Sequence, residues 1–211
     1  MNTIGIIDYG MGNLRSVQKA LEKLHAEVEI VARANDLANC EGVILPGVGA
    51  FRDAIAEIRR QGFESAIHDY AASGRPLLGI CLGLQLLFSR SEEDGEHEGL
   101  GIISGDVVRF QTEPQLKIPH MGWNALKFHQ SHPLLAGLNP GDYVYFVHSY
   151  FVRPNDQDVI ATTTQHGSQE FVSMIIRGNV AATQFHPEKS QRVGLRLLRN
   201  FADLVGSPAN V

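Results

Sequence analysis

A cysteine stands between two glycines in the segment GICLG, residues 79–83. An apolar run at 76–80 precedes the cysteine and a helix-like run at 82–88 follows it, which predicts a sharp turn from strand to helix. Such a turn needs glycine on both sides so that neighbouring backbone can pass closely. Helix amides behind the sulfur favour a thiolate and can hold a developing oxyanion. Cys81 is therefore a candidate nucleophile, although a small buried thiol fits this segment equally well.

A histidine and a glutamate near the C-terminus are a candidate base and its orienting carboxylate. His186 and Glu188 follow an apolar, β-branched run at 180–183, which predicts a strand. In extended chain both side chains point the same way, and Pro187 opposes helix formation at His186. A nucleophile needs a base, and the base needs a third group that sets its tautomer. The pair predicts a triad with Cys81, whereas alone it also fits a capped loop end.

A glycine-rich turn offers main-chain N–H groups to the same site. The buried strand predicted at 42–45 is interrupted by PGVG at 46–49 before a helical segment. Glycines on both sides of Val48 allow unusual backbone angles, so the N–H of Gly47 or Val48 can join that of Leu82 in an oxyanion hole. This requires the strands ending at 45 and 80 to be neighbours. An ordinary strand-to-helix turn is the alternative.

The first half of the chain alternates strands with helices. The predicted strands are residues 3–8, 26–31, 42–45 and 76–80. The predicted helices are residues 51–60, residues 64–72 and one that begins after Asn13, its candidate N-cap. This alternation is typical of βαβ units, so we expect an α/β fold with a mostly parallel sheet and helices on both faces.

The second half is rich in strands. The predicted strands are residues 107–110, 143–147, 159–164, 171–176 and 180–183. Because these strands follow one another with few helices between them, we expect antiparallel hairpins to extend the parallel sheet. Ser190 is the candidate cap of a closing helix, whose apolar stripe is predicted to be Val193, Leu197, Leu198, Phe201 and Leu204.

Composition limits the class of protein. With 211 residues and 44% hydrophobic side chains, the chain is predicted to form a single domain over residues 1–211. No apolar stretch can span a bilayer and no signal peptide is recognised, so we expect a cytoplasmic protein with no membrane contact. A net charge of −5 without a basic cluster argues against nucleic-acid binding.

The remaining reactive side chains are assigned to structure. Two cysteines give no disulfide framework, so Cys40 is predicted to be a buried apolar side chain. The acidic run at 92–98 is predicted to be a solvated loop without a site residue. Neither a metal nor a cofactor is predicted.

Together, the cysteine turn, the His-x-Glu pair and the Pro-Gly-x-Gly turn resemble the class I glutamine amidotransferase family. Within it, further segments resemble the glutaminase subunits of imidazole glycerol phosphate synthases: DYGMGNLRS at 8–16, PGVGAF at 46–51, PHMGWN at 119–124, YFVHSY at 145–150 and QFHPEKS at 184–190. The resemblance covers essentially the whole chain. It implies a flavodoxin-like, three-layer fold with a mostly parallel central sheet, extended by antiparallel strands and covered by helices on both faces.

The resemblance also implies an activity and a partner. Cys81 would attack the side-chain amide of glutamine and form a glutamyl thioester. The glutamine would be bound by Gly49, Gln85, Ser149 and Tyr150. The ammonia would pass to a (β/α)8-barrel cyclase subunit, which makes imidazole glycerol phosphate and aminoimidazole carboxamide ribotide in histidine biosynthesis. The docking face would contain Trp123, Tyr145 and Lys189, unless Trp123 belongs to the core. The resemblance further implies weak activity of the isolated chain, with the turn at 47–49 as a switch.

Two other functions stay open from the sequence. A glutaminase subunit of another synthase, such as the anthranilate type, shares the triad but would differ around Trp123 and Tyr145. A stand-alone cysteine hydrolase acting on γ-glutamyl peptides or esters would keep Cys81 and His186 and need no partner. A non-catalytic binding module would have no use for all three triad members.

Overall fold

The computed structural model describes residues 2–206, which contain the predicted strands and helices in the predicted order, together with strands that were not predicted. The α-helices are α1 (Leu14–Glu22), α2 (Phe51–Arg60), α3 (Phe63–Ala72), α4 (Leu82–Leu86) and α5 (Gln191–Gly206). The strands are β1 (Thr3–Ile7), β2 (Glu27–Val31), β3 (Gly42–Gly47), β4 (Leu77–Cys81), β5 (Phe88–Ser91), β6 (His97–Glu98), β7 (Ile103–Arg109), β8 (His120–Ala125), β9 (Lys127–Phe128), β10 (Tyr143–His148), β11 (Tyr150–Pro154), β12 (Ile160–His166), β13 (Gln169–Arg177) and β14 (Val180–Thr183). Asn13 precedes α1 as predicted, but its side chain makes no capping hydrogen bond. Within residues 2–206, no helix is long and apolar enough to cross a membrane.

An eight-stranded sheet forms the middle layer, in the order β2-β1-β3-β4-β14-β13-β12-β9. The first five strands in this order are parallel. The next three continue the sheet through antiparallel pairs. The predicted fold class, a mostly parallel sheet extended by antiparallel hairpins, is therefore confirmed.

Two of the predicted strands leave this sheet. The segment at 107–110 belongs to β7, which pairs with β11 and β5 in a separate four-stranded sheet that ends in β6. The segment at 143–147 belongs to β10, which pairs only with β8 in a two-stranded ribbon. The expectation that both would extend the main sheet was wrong, because strand partners depend on distant segments that local alternation does not reveal.

Helices cover both faces of the main sheet, and each face has its own apolar core. On one face, Val43 and Leu45 of β3 pack with residues of α2 and α3, including Phe51 and Phe63. On the other face, Ile44 of the same strand packs with residues of α1 and α5. Because successive side chains of a strand point to opposite faces, a strand buried on both sides has to be apolar throughout. The apolar runs that predicted these strands reflect this requirement.

Helix α4 is shorter than its sequence suggests. The prediction extended it to residue 88, but it ends at Leu86, and Phe88 begins β5. The carbonyl groups of Leu86, Leu87 and Phe88 accept hydrogen bonds from the backbone N–H groups of Leu100, Ile103 and Gly101. These contacts with a later segment replace the intrahelical bonds that would continue α4. Tertiary pairing thus overrides the helical propensity of this run.

The two glycines of the cysteine turn allow very close backbone packing. A methyl group added at Gly83 would overlap the Leu45 carbonyl oxygen of β3. One added at Gly79 would lie 2.9 Å from the Ala182 Cβ of β14 and 3.0 Å from the Gly83 backbone. The predicted need for glycine on both sides of Cys81 is therefore confirmed.

We predict that Gly83→Ala lowers the free energy of unfolding by about 1–3 kcal/mol, because the new methyl group forces β3 and α4 apart. Urea denaturation measures this change. Gly206→Ala is the matched control, since its methyl group would meet only the Asn2 side chain at 3.4 Å at the end of α5. Equal stability of Gly83→Ala and the wild type would contradict the close packing described here.

Candidate active site

Three chain segments meet at the carboxyl ends of neighbouring parallel strands. Strand β4 lies between β3 and β14, with Gly47 opposite Cys81 and Thr183 opposite Ile80. The predicted neighbouring of the strands that end near residues 45 and 80 is confirmed. Since ligands of open parallel sheets bind beyond the carboxyl ends of the strands, this edge is where a site is expected.

Cys81 occupies a strained position between β4 and α4. Its backbone angles are φ 55° and ψ −109°, in a region that a non-glycine residue seldom adopts. It is the residue that precedes α4, and Leu82 is the first helical residue. The N–H groups in the first turn of a helix have no intrahelical partner, and the Leu82 N–H lies in this first turn, next to Cys81 in the chain. Backbone strain of this kind is typical of nucleophile turns.

His186 and Glu188 form a buried pair. The His186 Nδ1 lies 2.8 Å from the Glu188 Oε1, and both side chains are almost fully buried. The two side chains lie on the same side, but not because the backbone is extended, as the sequence had predicted. Pro187 begins a short 3-10 turn at Pro187–Lys189, where its fixed φ suits the first helical position. The expectation of extended backbone through Glu188 was therefore wrong, while the pairing of the two side chains holds.

The His186 ring is poised to be protonated. Burial lowers the pKa of His186, but the nearby Cys81 and the hydrogen-bonded Glu188 outweigh burial and raise this pKa to about 9. His186 lines the same pocket as Cys81, and its ring Nε2 is buried without a hydrogen-bond partner among the described residues. A histidine in the same pocket as a cysteine is a candidate general base for it, so the pair is suited to nucleophilic attack.

Ser190 anchors the turn that carries His186. Its hydroxyl donates to the His186 carbonyl oxygen at 2.7 Å and accepts from the Tyr145 N–H at 2.9 Å. The His186 N–H donates in turn to the Tyr145 carbonyl oxygen at 3.0 Å. The Ser190 side chain therefore ties the histidine turn to strand β10. Ser190 also takes the predicted cap position, since it directly precedes α5 and its carbonyl oxygen accepts from the Gly194 N–H at 3.1 Å.

A pocket of about 330 Å³ lies over these groups, at the small end of the usual range for small-molecule sites. It is lined by Val48, Gly49, Cys81, Leu82, Gln85, Glu93, Pro119, Val147, His148, Ser149, Tyr150 and His186. All four residues predicted to bind glutamine, namely Gly49, Gln85, Ser149 and Tyr150, are in this lining. The structure thus brings them together with the cysteine and the histidine.

The Gly47–Gly49 turn differs from the expected oxyanion hole. The Val48 N–H donates to the Met11 carbonyl oxygen at 3.2 Å, and Gly49 has a φ of 98°. The Val48 N–H is therefore engaged on the loop after β1 and not directed at the pocket. A side chain at Gly47 would come within 2.8 Å of the Tyr9 hydroxyl and 2.9 Å of the Leu82 Cβ, so only glycine fits there.

Two polar groups beside the site escaped the sequence analysis. Glu93 lines the pocket and is partly buried, so the expectation that the acidic run at 92–98 has no site residue was wrong. Its carboxylate accepts from the Phe51 N–H at 2.8 Å, at the start of α2, and burial raises the pKa of Glu93. The buried Tyr9 hydroxyl has no hydrogen-bond partner among the described residues. A pairing with a helix start 42 residues away leaves no local sequence signal.

Two neutral histidines, His148 and His120, form a hydrogen-bonded chain beside the pocket. The His148 Nδ1 lies 2.8 Å from the Tyr150 carbonyl oxygen, so this nitrogen carries the proton, because a carbonyl only accepts. The His148 Nε2 must then accept from the His120 Nδ1 at 3.3 Å, and the His120 Nε2 accepts from the Asn124 amide at 3.2 Å. Burial lowers the pKa of His148 to about 3 and that of His120 to about 4, so both rings stay neutral.

The predicted docking residues form one surface cluster. Trp123 of β8 lies opposite Tyr145 of β10, with their ring centroids 6.1 Å apart. The Lys189 Nζ is 6.0 Å from the Tyr145 ring centroid. Trp123 is 44% exposed, which excludes the alternative that it belongs to the core. An exposed tryptophan with an adjacent lysine is typical of an interface anchor.

The second cysteine has a different environment. Cys40 is buried, as predicted, but its sulfur also lies 3.1 Å from the Glu29 Oε1. Burial, with help from Glu29, raises the pKa of Cys40 to about 12, so this sulfur remains a thiol. Both cysteines are free. Among residues 2–206, no group of three or more histidine, cysteine or acidic side chains could hold a metal ion.

Fold and site together define a cysteine-dependent enzyme of the α/β class, with its nucleophile at the carboxyl edge of a parallel sheet. The sequence matches the family "Glutamine amidotransferase class-I" over residues 5–204. The chain therefore belongs to the class-I glutamine amidotransferase family, as the motifs indicated.

Curated relatives indicate which members of this family the chain resembles. The chain is 56% identical to the imidazole glycerol phosphate synthase subunit HisH of Rhodopirellula baltica, over 94% of this chain and 96% of the relative. It is 50% identical to the subunit of the same name from Moorella thermoacetica, over 100% of this chain and 99% of that one. The resemblance drawn from the segments around Trp123 and Tyr145 is confirmed by these relatives.

Solved structures share the fold. A crystal structure described as a glutamine amidotransferase matches this chain with a TM-score of 0.74 at 23% identity. The match covers 97% of this chain and 99% of that chain. PurLQS from Thermotoga maritima has the same TM-score at 20% identity, with 97% of each chain covered. At this identity the likeness concerns the fold alone.

We predict that Cys81→Ala lowers the pKa of His186 below about 9, because the sulfur is one of the groups that raise it. NMR titration of the histidine ring measures the change. Cys40→Ala is the matched control, since its sulfur contacts Glu29 and not the histidine. An unchanged His186 titration in Cys81→Ala would show that sulfur and ring do not interact.

Proposed function

We propose that this chain is the glutaminase subunit of an imidazole glycerol phosphate synthase. It hydrolyses glutamine to glutamate and ammonia and passes the ammonia to a cyclase subunit of histidine biosynthesis. One observation carries the proposal: a cysteine on a strained turn shares a pocket with a histidine whose Nδ1 is 2.8 Å from a buried glutamate. The relatives named above are subunits of this synthase. All 211 residues act as one glutaminase domain, in the cytoplasm, where a catalytic thiol stays reduced.

The reaction begins with the thiolate of Cys81 and the imidazolium of His186. The sulfur attacks the side-chain amide carbon of glutamine, and His186 gives its proton to the departing nitrogen, which leaves as ammonia. A glutamyl thioester remains. The now neutral His186 takes a proton from water, which attacks the thioester and releases glutamate. Glu188 holds the ring and balances its charge throughout.

The oxyanion is stabilised by main-chain donors. The Leu82 N–H at the start of α4 provides one donor, and the N–H of Gly47 or Val48 provides the second. In the present conformation the Val48 N–H is bonded to the Met11 carbonyl oxygen. Because this donor is engaged elsewhere, the isolated chain has low activity. Rotation of the turn would release the Val48 N–H towards the pocket. One such donor contributes about 3 kcal/mol, or roughly a hundredfold in rate.

The rest of the pocket recognises an α-amino acid. Glu93 brings a negative charge that complements the α-ammonium group of glutamine, and burial strengthens that attraction. The Gln85 Nε2 is already bonded within the protein, to the Tyr150 carbonyl oxygen at 3.0 Å and to Gln184. Its Oε1 is the atom that remains to accept from the substrate. Gly49, Ser149 and Tyr150 complete the binding site.

The partner is a (β/α)8-barrel cyclase that docks on Trp123, Tyr145 and Lys189. This surface adjoins the site, because the main chain of Tyr145 is bonded to His186 and Ser190. Ammonia released beside His186 is therefore produced close to the docking face. An enclosed transfer keeps it from being protonated in bulk water.

We predict that glutamine hydrolysis by this chain is weak alone and with the cyclase, and rises about a hundredfold when the cyclase also holds its nucleotide substrate, as the second oxyanion donor is engaged. Glutamate release measures the rate. Cys81→Ala should abolish it in every mixture, whereas Cys40→Ala should not.

Other outcomes select other functions. Equal activity in all three mixtures would identify a stand-alone γ-glutamyl hydrolase. Stimulation by a different synthase, such as an anthranilate synthase subunit, would identify another amidotransferase partner. Full activity of Cys81→Ala would remove this cysteine from the mechanism.

We predict that Trp123→Ala weakens binding of the cyclase by about 2 kcal/mol, roughly thirtyfold in Kd, since exposed tryptophans dominate interface energies. Isothermal titration calorimetry measures the affinity. Ile30→Ala is the control, because this exposed apolar residue lies on β2 at the far edge of the main sheet. Equal losses in both variants would place the interface elsewhere.

A further inference from the structure

Gln184 is a fully buried polar residue next to the reacting sulfur. It lies two residues before His186, and its backbone N–H donates to the Ser173 carbonyl oxygen at 2.9 Å. Its side-chain Nε2 lies 3.9 Å from the Cys81 sulfur. A buried amide normally has a specific hydrogen-bonding task, because leaving its N–H groups without partners is costly. The mechanism above gives it none.

The orientation of this amide is set by its neighbour Gln85. The Gln85 Nε2 lies 3.0 Å from the Tyr150 carbonyl oxygen, which can only accept, so this atom is the nitrogen. The same nitrogen lies 3.1 Å from the Gln184 side chain, which must therefore present its oxygen there. Gln184 consequently turns its NH2 group to the other side, where the sulfur lies. Hydrogen bonding thus decides an orientation that amide shape alone leaves ambiguous.

The contact suits a thiolate better than a thiol. At 3.9 Å it is long, as hydrogen bonds in unliganded active sites often are before they tighten on reaction. A negative sulfur accepts from an amide N–H more strongly than a neutral one. Gln184 and His186 both belong to the segment that follows β14, so one short segment carries the amide beside the sulfur and the imidazole that lines the same pocket.

We infer that Gln184 is a positioning residue for the nucleophile: its amide, oriented by Gln85, donates to the Cys81 sulfur and holds it as a thiolate directed at the substrate. This inference rests on the proposed role of Cys81 as nucleophile. The same Gln85 lines the glutamine pocket, so one amide pair links substrate binding to the sulfur.

Alkylation of Cys81 by iodoacetamide tests the inference, since it requires neither glutamine nor a cyclase and so remains informative if the proposed function fails. Mass spectrometry follows the rate on the full chain across pH. In Gln184→Met, which keeps an unbranched side chain without the donor, the rate at pH values below the wild-type midpoint should fall about tenfold. The pH of half-maximal alkylation should rise by about one unit.

Gln165→Met is the matched control, because this glutamine is exposed and its side chain donates within its own turn, to the Gly167 carbonyl oxygen, while its backbone is unchanged by the substitution. It should leave the alkylation profile unchanged. A purely structural role of Gln184 would lower the Tm of Gln184→Met without moving the pH profile. A profile that overlies the wild type in the folded variant therefore overturns the inference.

Gln85→Met is the second variant and decides the matter if Gln184→Met does not fold. It removes the group that orients the Gln184 amide, so alkylation should shift in the same direction by a smaller amount. An unchanged profile in Gln85→Met would overturn the orienting role, and with it the inference if Gln184→Met cannot be measured.

Discussion

The close approach of three backbones around Cys81 is the constraint on which the site depends. Strand β4 runs between β3 and β14, and the glycines beside the cysteine allow α4 to turn back against β3. This packing holds Cys81 at a positive φ, with its side chain at the carboxyl edge of the sheet. Any substituent larger than hydrogen at Gly83 would separate the cysteine turn from β3, the strand that leads into the Gly47–Gly49 turn. Geometry and reactivity are therefore maintained by the same contacts.

The two cysteines show how surroundings decide reactivity. Cys40 is buried beside the carboxylate of Glu29, and both burial and that charge keep it protonated. Cys81 is also buried, but its neighbours are a helix N-terminus, an imidazole ring and the amide of Gln184. These groups stabilise negative charge on sulfur. Burial by itself therefore does not determine the electrostatic surroundings of a cysteine in this protein.

The ribbon of β8 and β10 carries exposed side chains and also contacts the residues around the pocket. Its outer side carries Trp123 and Tyr145, whereas the main chain of Tyr145 holds the turn that contains His186. Its other end supplies His120 and His148, whose hydrogen bonds reach the Tyr150 carbonyl oxygen in the pocket. A partner that contacted this ribbon would thus be only a few bonds from the histidine turn and from the pocket beside Cys81.

The sequence by itself determined the parallel half of the sheet, the cysteine turn at 79–83 and the pair of His186 and Glu188. Each of these depends on a short segment with its own periodicity or residue spacing. Only the tertiary structure decided which groups those segments meet. The end of α4 at Leu86, the separate sheets of β7 and β10, and the anchoring role of Ser190 all depend on hydrogen bonds to distant segments. The same is true of Glu93 in the pocket and of the Val48 N–H on Met11, since partners about 40 residues away in sequence leave no local pattern.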